Sequence, residues 1–522
     1  MTPMTLRLRN TLTRRVEPVE TIEPGLVRMY SCGPTVYRYA HVGNLRTFLL
    51  ADLVRRTLIY HGLRVFHVQN ITDVGHMRDE RFDQGEDRML VAAGLEGRSP
   101  AEIAAAYEET FHVDAAAVNL LPAHVFPRAT DHVPDMIGLA ERLEDSGHAY
   151  RSVDGNIYFA VASFPGYGGL SGNSLDELRE GHRGDVQADK RDPADFALWK
   201  AAGEGRVLKW PTPRWGEGYP GWHLECSAMA MRYLGDEFDI HTGGVDNVFP
   251  HHEDEIAQSA SLTGRPPARL WAHGEFLQMG GRKMAKSAGN FQRITEIGDG
   301  DTDPLAFRYL ALTSRYRHKL EFSDGSLAGA AAALQSLTAR LRGLGPAPAE
   351  GPWAAPRPLV AGAARARPEG IADGVAGHGD PNHGWVTSDR AHAPAAPLSP
   401  EGRELHERFV AALDDDLDTP AALSTVREIA KADLAADERR WLLLDADAVL
   451  GLDLQRAWED TAAAEATELP AGAERLLAER AAARDARNFE RADALRAELL
   501  AMGFELTDRA DGTTTWRPVA RH

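Results

Sequence analysis

The chain has 522 residues, too many for one ordinary core, so two or more domains are expected. Its formal net charge of −19 argues against general affinity for nucleic acid or anionic membrane, although a local basic patch can still meet RNA. Two widely separated cysteines exclude a disulfide framework, and no run approaches the roughly 18 apolar residues of a membrane span, so a reduced, cytoplasmic protein is expected.

The first twenty residues contain no apolar run of the signal-peptide kind. LVRMYSC (26–32) reads as a short strand. After GPTVYRYAHVGN, the stretch LRTFLLADLVRRTLIYHGL places Leu45, Phe48, Leu49, Leu53 and Leu58 at helical spacing, with Gly62 as a stop. LRVFHVQNI (63–71) reads as the next strand, and strand, helix, strand is a βαβ unit, the seed of a parallel sheet. His41-Val42-Gly43-Asn44 sits at the strand-to-helix junction. There a helix start offers unpaired N–H groups and a positive dipole end to a phosphate. Gly43 lets a ligand approach the backbone, and His41 and Asn44 are side-chain donors. Taken alone, the same four residues also suit an ordinary capped loop.

EFDIHTGG (237–244) reads as a strand entering a glycine turn, and PHHEDEIAQSASL (250–262) as a helix opened by Pro250. His251 and Glu255, four apart, share a face of that helix, and His252 competes for the same role. With Cys226, in GWHLECSAM, and Cys32, they offer two thiolates, an imidazole and a carboxylate, a donor set suited to zinc. There is no CxxC pair, and two buried structural cysteines are the plainer reading of spacing alone. HHEDE does not fit HExxH, which disfavours a zincin peptidase.

In GGRKMAKSAGN (280–290), Lys283 and Lys286 are compact charges on a glycine-flanked loop. A triphosphate splitting into pyrophosphate builds charge that such cations neutralise, on a loop that closes after substrate enters. An isolated KxxK more often marks a solvated loop; its pairing with HVGN raises the functional reading. Arg315, Arg317 and Lys319 in SRYRHK form a local basic patch, and Asp414-Asp415-Asp416 reads as a solvated or capping acidic run. Residues 345–398, rich in Ala, Gly and Pro without a period, read as a flexible linker. Helical periods return from Pro400. Arg480, Arg484, Arg487 and Arg491 would form a basic stripe on one continuous helix, whereas Asn488 capping a second helix would break it. Phe489 beside them suits stacking on an unpaired base.

HxGN early and KMAKS late resemble the signatures of class I aminoacyl-tRNA synthetases. YSCGPTVY, HVGN, RATDH, DFALWK, GWHLECSAM, FDIHTGGVDNVFPHHEDEIAQS, KMAKS and a terminal GTTTW follow the order seen in cysteinyl-tRNA synthetases, across nearly all the chain outside 345–398. The resemblance implies an α/β protein. It would have a Rossmann-like parallel-sheet catalytic domain over 1–301 with a connective insertion at about 76–205. A helical stem-contact segment (302–344), the linker and a helical anticodon-binding region (399–522) would follow. It implies ATP-dependent activation of cysteine, with Mg2+, to cysteinyl-adenylate, and transfer to tRNA(Cys), by a monomer. It places His41, Gly43, Asn44, Asp246 and Lys286 on ATP, with Lys283 and Lys286 stabilising the transition state of activation. Cys32, Cys226, His251 and Glu255 would hold a zinc ion that binds the substrate thiol. Thr72, Trp222 and His241 would surround the amino acid, and Arg484, Phe489, Asp493 and Asp508 would face the anticodon. The SRYRHK patch would meet the acceptor-stem side of the RNA.

Three positions depart from the family pattern. Asn44 replaces a second His and Ala285 a Ser, while Ile71-Thr72-Asp73-Val74-Gly75-His76-Met77 stands where many relatives carry ITDIDDK. No role is carried over to residues 75 and 76. One rival is a ligase joining cysteine to a small amine such as an aminosugar; such enzymes lack an RNA-reading end, which the residues after the linker supply. A second rival is a non-catalytic RNA-binding paralogue, against which His41, Asn44, Lys283 and Lys286 stand intact.

Overall fold

The computed structural model describes residues 6–75, 77–79, 84–174, 189–203, 206–283, 292–300, 302–356, 396–458, 471–485, 488–502, 504–508 and 514–518. Four parallel strands form the central sheet: β1 (Leu26–Ser31), β2 (Arg64–Gln69), β3 (Phe238–Gly244) and β4 (Ala268–Gly274). They lie in the order β2-β1-β3-β4. β3 is buried along its whole length, as expected of a parallel strand covered on both faces. The order reverses direction between β1 and β3, and ligands of such sheets bind outside the carboxyl ends at that switch point.

Helix α1 (Val42–Tyr60) joins β1 to β2 and is buried on nearly every side, its charged residues included. Asp52 accepts from Arg56 Nε at 2.8 Å and from Arg308 Nη2 at 2.5 Å. Arg308, on the helix Pro304–Leu312, also donates to the carbonyls of Leu450 (2.6 Å) and Val118 (3.0 Å). A buried charge is tolerated only when paired and hydrogen-bonded, and this network meets that condition. Burial alone would raise the Asp52 carboxyl, but the two guanidinium groups hold it below its ordinary value.

Between β2 and helix α2 (Trp222–Leu234) lies the insertion. It contains the helices Arg88–Glu96, Pro100–Ala117 and Val133–Asp145 and a five-stranded antiparallel sheet running from Ala149 to Pro220. The insertion thus extends past the expected end near 205, because Gly216–Pro220 pairs with Phe196–Ala201 within that sheet.

The chain divides into two compact units, Met1–Leu454 and Gln455–His522. The region expected as 399–522 is therefore split. Helices Pro400–Asp414, Thr419–Ile429 and Ala436–Leu450 belong to the first unit; the last packs on α1 and the second on the helix Pro304–Leu312. Tyr60 Oη donates to Asp445 Oδ2 at 2.6 Å and lies 3.0 Å from His406 Nε2. Of the expected linker, 357–395 lies outside the described residues. The second unit holds a helical hairpin, Ala471–Asp485 and Phe489–Ala501, and an antiparallel pair, Phe504–Asp508 with Thr514–Pro518. It is not wholly helical; the terminal GTTTW contributes a strand.

Two basic features of the sequence are spent on structure. Arg315 pairs with Asp415 and Asp418, and Arg317 with Asp416, so the acidic run neutralises the patch expected to face RNA. Asp416 is itself buried and also accepts from Tyr316 Oη and the Arg9 N–H. The arginine stripe is broken as well: Arg480 is only 3% exposed, and Asn488 caps the second helix by accepting from the Arg491 N–H at 3.1 Å. Among the described residues, no helix is long and apolar enough to cross a membrane.

Candidate active site

The HVGN motif is the first turn of α1, not a loop before it; the helix starts at Val42 instead of Leu45. His41 is the N-cap. Its Nδ1 accepts from the Asn44 N–H at 3.1 Å, while Asn44 Oδ1 accepts from the His41 N–H at 3.2 Å. This reciprocal box satisfies two helix-start donors. A Cβ on Gly43 would lie 2.9 Å from the His41 ring, so glycine is needed for the ring to fold back over the turn. Because Nδ1 accepts, the neutral imidazole carries its proton on Nε2. The N–H of Val42 donates to the Gln292 carbonyl at 3.0 Å, fixing the chain just after the lysine loop to the start of α1. The backbone of Lys283 pairs with Gln278. The Lys283 side chain and all of Lys286 lie outside the described residues, as does His76.

Cys32 follows β1, Cys226 sits in α2, and His251 and Glu255 flank the entry to helix α3 (Glu253–Thr263). The expected helix start at Pro250 is displaced: Phe249, preceding a proline, is extended, and the regular helix begins at Glu253. His251 still projects beside Glu255, with Nε2 3.1 Å from Oε1 and 3.3 Å from Cys226 Sγ. One donor atom from each of Cys32, Cys226, His251 and Glu255 lies within 4.8 Å of the others. A second set, Cys32, His241, His252 and Glu255, meets the same distance. In that set, His241 Nε2 already engages Glu255 Oε2 at 3.0 Å and His252 Nδ1 engages His273 Nε2 at 2.8 Å.

Electrostatics of the cluster follow from burial. The Cys226 thiol is pushed well up by its hydrogen bond with Cys32 and by burial. For Cys32 that same hydrogen bond acts downward, but burial beside Glu255 outweighs it and the thiol is raised. Burial would raise the Glu255 carboxyl, yet the charges and hydrogen bonds of His241 and His251 hold it at about 2. Glu255 Oε1 is buried with His251 Nε2 as its near neighbour, at 3.1 Å. Two thiols, an imidazole and a carboxylate gathered in one cluster fit a zinc ion.

A cleft of about 880 Å3 opens at the carboxyl ends of β1, β3 and β4. Its walls include Cys32, His41, Gly43, Asn44, Thr72, Trp222, Cys226, Asp246 and His251. Of the two overlapping clusters, only the set with Cys226 and His251 places three donors on this wall. Trp222 packs its ring 4.4 Å from the His251 ring. His241, expected in the amino-acid pocket, is instead fully buried; it touches Glu255 and stacks on Trp271. In the second unit, Arg484 ends the first helix, Phe489 and Asp493 lie on the second, and Asp508 ends a strand. The last three have side chains outside the described residues.

Sequence reasoning missed His223 and His273. His223 Nδ1 meets His251 Nδ1 at 3.0 Å, and its Nε2 is 3.3 Å from Asp254. His273 backs His252 and contacts Thr11 Oγ1 at 2.7 Å. Partners behind a ligand histidine fix its tautomer and ring orientation, but no spacing rule connects residues on different elements. Asp73 accepts from the Thr130 N–H at 2.9 Å, which gives the RATDH segment a structural purpose.

Gly33, just after Cys32, has no room for a side chain: a Cβ would sit 1.6 Å from the Asn70 carbonyl oxygen. Gly33→Ala is expected to force β1 and β2 apart at their ends and cost at least about 1–3 kcal/mol, an overpacking penalty. An unchanged urea midpoint would contradict that close approach.

The comparisons with known proteins agree with this geometry. Residues 18–332 match the family described as tRNA synthetases class I (C) catalytic domain, and residues 466–517 match the cysteinyl-tRNA ligase anticodon binding domain. Curated relatives named cysteine–tRNA ligase match end to end. That of Chlorobium luteolum is 39% identical, covering 98% of this chain and 99% of its own. That of Alkalilimnicola ehrlichii is 40% identical, with the same coverage. This chain belongs to the cysteine–tRNA ligase family. A solved LeuRS–tRNA–LeuAMS complex from Agrobacterium radiobacter K84 matches with a TM-score of 0.52 at 10% identity, covering 86% of each chain, a likeness of fold alone. Within the cysteine–tRNA ligase family match, the anticodon-binding domain begins at 466, inside the second compact unit and well after the expected boundary at 399.

Proposed function

We propose that the protein activates cysteine with ATP to cysteinyl-adenylate and pyrophosphate, then transfers the cysteinyl group to tRNA(Cys). The observation that carries this reading is the shared cleft: the start of α1 and the Cys32–Cys226–His251 wall open onto one cavity. Phosphate oxygens suit the positive dipole end at the start of α1, with the Nε2–H of His41 and the amide of Asn44 beside it. Asp246, following β3, lines the same space and would contact the nucleotide. Mg2+ would accompany ATP, and Lys283 and Lys286 would neutralise charge on the departing pyrophosphate.

Cys32, Cys226, His251 and Glu255 would hold zinc, which supplies a soft site preferring a thiolate to a hydroxyl and so separates cysteine from serine. His223 orients the His251 ring from behind, and His241 orients Glu255. Trp222 and Thr72 shape the neighbouring wall. Arg484, Phe489, Asp493 and Asp508 would meet the anticodon, and the enzyme would work as a cytoplasmic monomer.

The small-amine rival has no support, because 466–517 matches an anticodon-binding domain. A radiolabel assay offering tRNA and small amines as alternative cysteine acceptors tests the reading. Cysteine on tRNA alone is the expected result; cysteine on an amine alone would overturn it.

A further inference from the structure

The outer end of the cleft is unlike its floor. Here the wall is made by the insertion and by the segment just before HVGN, and it is apolar, aromatic and open. Leu95 is 83% exposed and Tyr39 39%, and Val91 is also exposed; all three line the cleft. Large apolar groups lined up at a cavity mouth mark a binding surface more often than isolated exposed ones do.

The aromatic residues are held in a fixed arrangement. Tyr39 and Tyr107 meet edge to face, with centroids 4.8 Å apart and planes at 82°. The Arg293 guanidinium carbon lies 3.8 Å from the centroid of the Tyr39 ring. Arg293 is tethered in turn by Asp114, a fully buried carboxylate on the insertion helix, at 3.6 Å, and lies 4.0 Å from Glu296. Tyr107 Oη donates to Glu96. Arg38 and Tyr37 continue the same wall, with the guanidinium 5.1 Å from the ring centroid. In a chain of net charge −19, two arginines interleaved with three tyrosines at the mouth of the reaction cleft are a local exception.

Resting on the reading above, we infer that this ledge, Tyr39 and Tyr107 with Arg293, stacks an unpaired base at the 3′ end of the RNA acceptor. That end is single-stranded, and proteins hold such bases on aromatic rings and guanidinium planes. The ledge is continuous with the cleft in which the acceptor ribose must meet the activated amino acid. ATP would be held by the start of α1 and the segments after β3 and β4, which line the same cleft. The ledge therefore acts in the second half-reaction and not in the first.

The test uses the full-length protein with Tyr39→Leu, Tyr107→Leu and Tyr39→Phe. Two catalytic readouts are cysteine-dependent pyrophosphate exchange and charging of tRNA; a third is fluorescence of 2-aminopurine placed at the 3′ end of the RNA. The leucine variants are expected to keep wild-type exchange and to raise the KM for tRNA about tenfold or more, the loss of one stacking contact. Tyr39→Phe keeps the ring and should behave as wild type. Quenching of the aminopurine by wild type and Tyr39→Phe should vanish with Tyr39→Leu. Unaltered charging by both leucine variants would overturn the inference. So would a parallel loss of exchange, which would mean that the ledge serves activation or the fold. A wild-type protein that charged no tRNA would instead remove the functional reading beneath it.

Discussion

Cys226→Ser leaves a protein that retains far less than one zinc per chain and activates cysteine at least about a hundredfold more slowly, as expected when a metal-site partner is lost. A serine hydroxyl stays protonated where a thiolate would bind, and His251 loses the sulfur 3.3 Å from its Nε2. Because Cys226 is buried, the new hydroxyl also brings a desolvation cost of about 1–3 kcal/mol, so the unfolding transition must be followed alongside the metal. A companion variant removes the ambiguity between the two overlapping donor sets. His252 is a donor only in the set with His241, although its Nε2 lies 3.1 Å from the shared Cys32, so His252→Ala should keep its zinc. Should Cys226→Ser hold a full equivalent while His252→Ala loses it, the metal belongs on the inner set and the donor assignment is wrong. Cobalt-substituted wild type adds a check on the substrate side. Free cysteine should bring new sulfur-to-metal charge-transfer bands, and unaltered spectra at saturation would remove the thiol contact.

Local pattern carried the reading as far as local pattern can. The β1–α1–β2 unit was legible because its strands are short apolar runs and its helix shows 3.6-residue spacing. What the spacing did not reveal is that α1 is buried all round. Leu45, Phe48, Leu49, Leu53 and Leu58 describe one apolar stripe, while Asp52, Arg55 and Arg56 look like a solvent face. Asp52 and Arg56 meet Arg308 and the Ala448 carbonyl, hundreds of residues later, and Arg55 reaches the Pro122 carbonyl in the insertion; only the fold supplies such partners. The same limit explains the failed patch at Arg315 and Arg317. A basic cluster in sequence says nothing about an acidic run a hundred residues on that folds against it.

The proposed zinc donors were legible as a set through family likeness, since ligands from three separate segments leave no spacing signature. Preferring them to the set with His241 and His252 rests on the cleft, which Cys226 and His251 line. Gly243 illustrates how much of that geometry is backbone: a Cβ there would lie 2.7 Å from the His252 ring, so the glycine turn in HTGG exists partly to seat that imidazole. Gly43 has a like purpose beside His41. Gly43 reads in the sequence as making room for a ligand and Gly243 only as part of a turn; the structure shows each of them making room for a histidine.

Lys286→Ala is expected to slow cysteine-dependent pyrophosphate exchange by roughly 10²–10³-fold, the usual cost of removing one charge-stabilising donor. The loop that carries this lysine is pinned on both sides. At one side, Lys283 pairs with Gln278, whose neighbour Leu277 lines the cleft. At the other, Gln292 accepts from the Val42 N–H in the first turn of α1. Three residues of extended chain span at most about 11 Å, which bounds the distance from the Lys283 Cα to that of Lys286. A compact cation within that reach of the helix start would suit a departing pyrophosphate. Lys286→Arg keeps the charge but not the compact ammonium, and should fall between wild type and alanine. Lys283→Ala should show a similar defect, and the double variant less than the sum, because two charges stabilising one transition state do not act independently. Exchange near the wild-type rate in Lys286→Ala would show that charge on the leaving pyrophosphate is met by other groups, and the paired-signature reading of the cleft would fail with it.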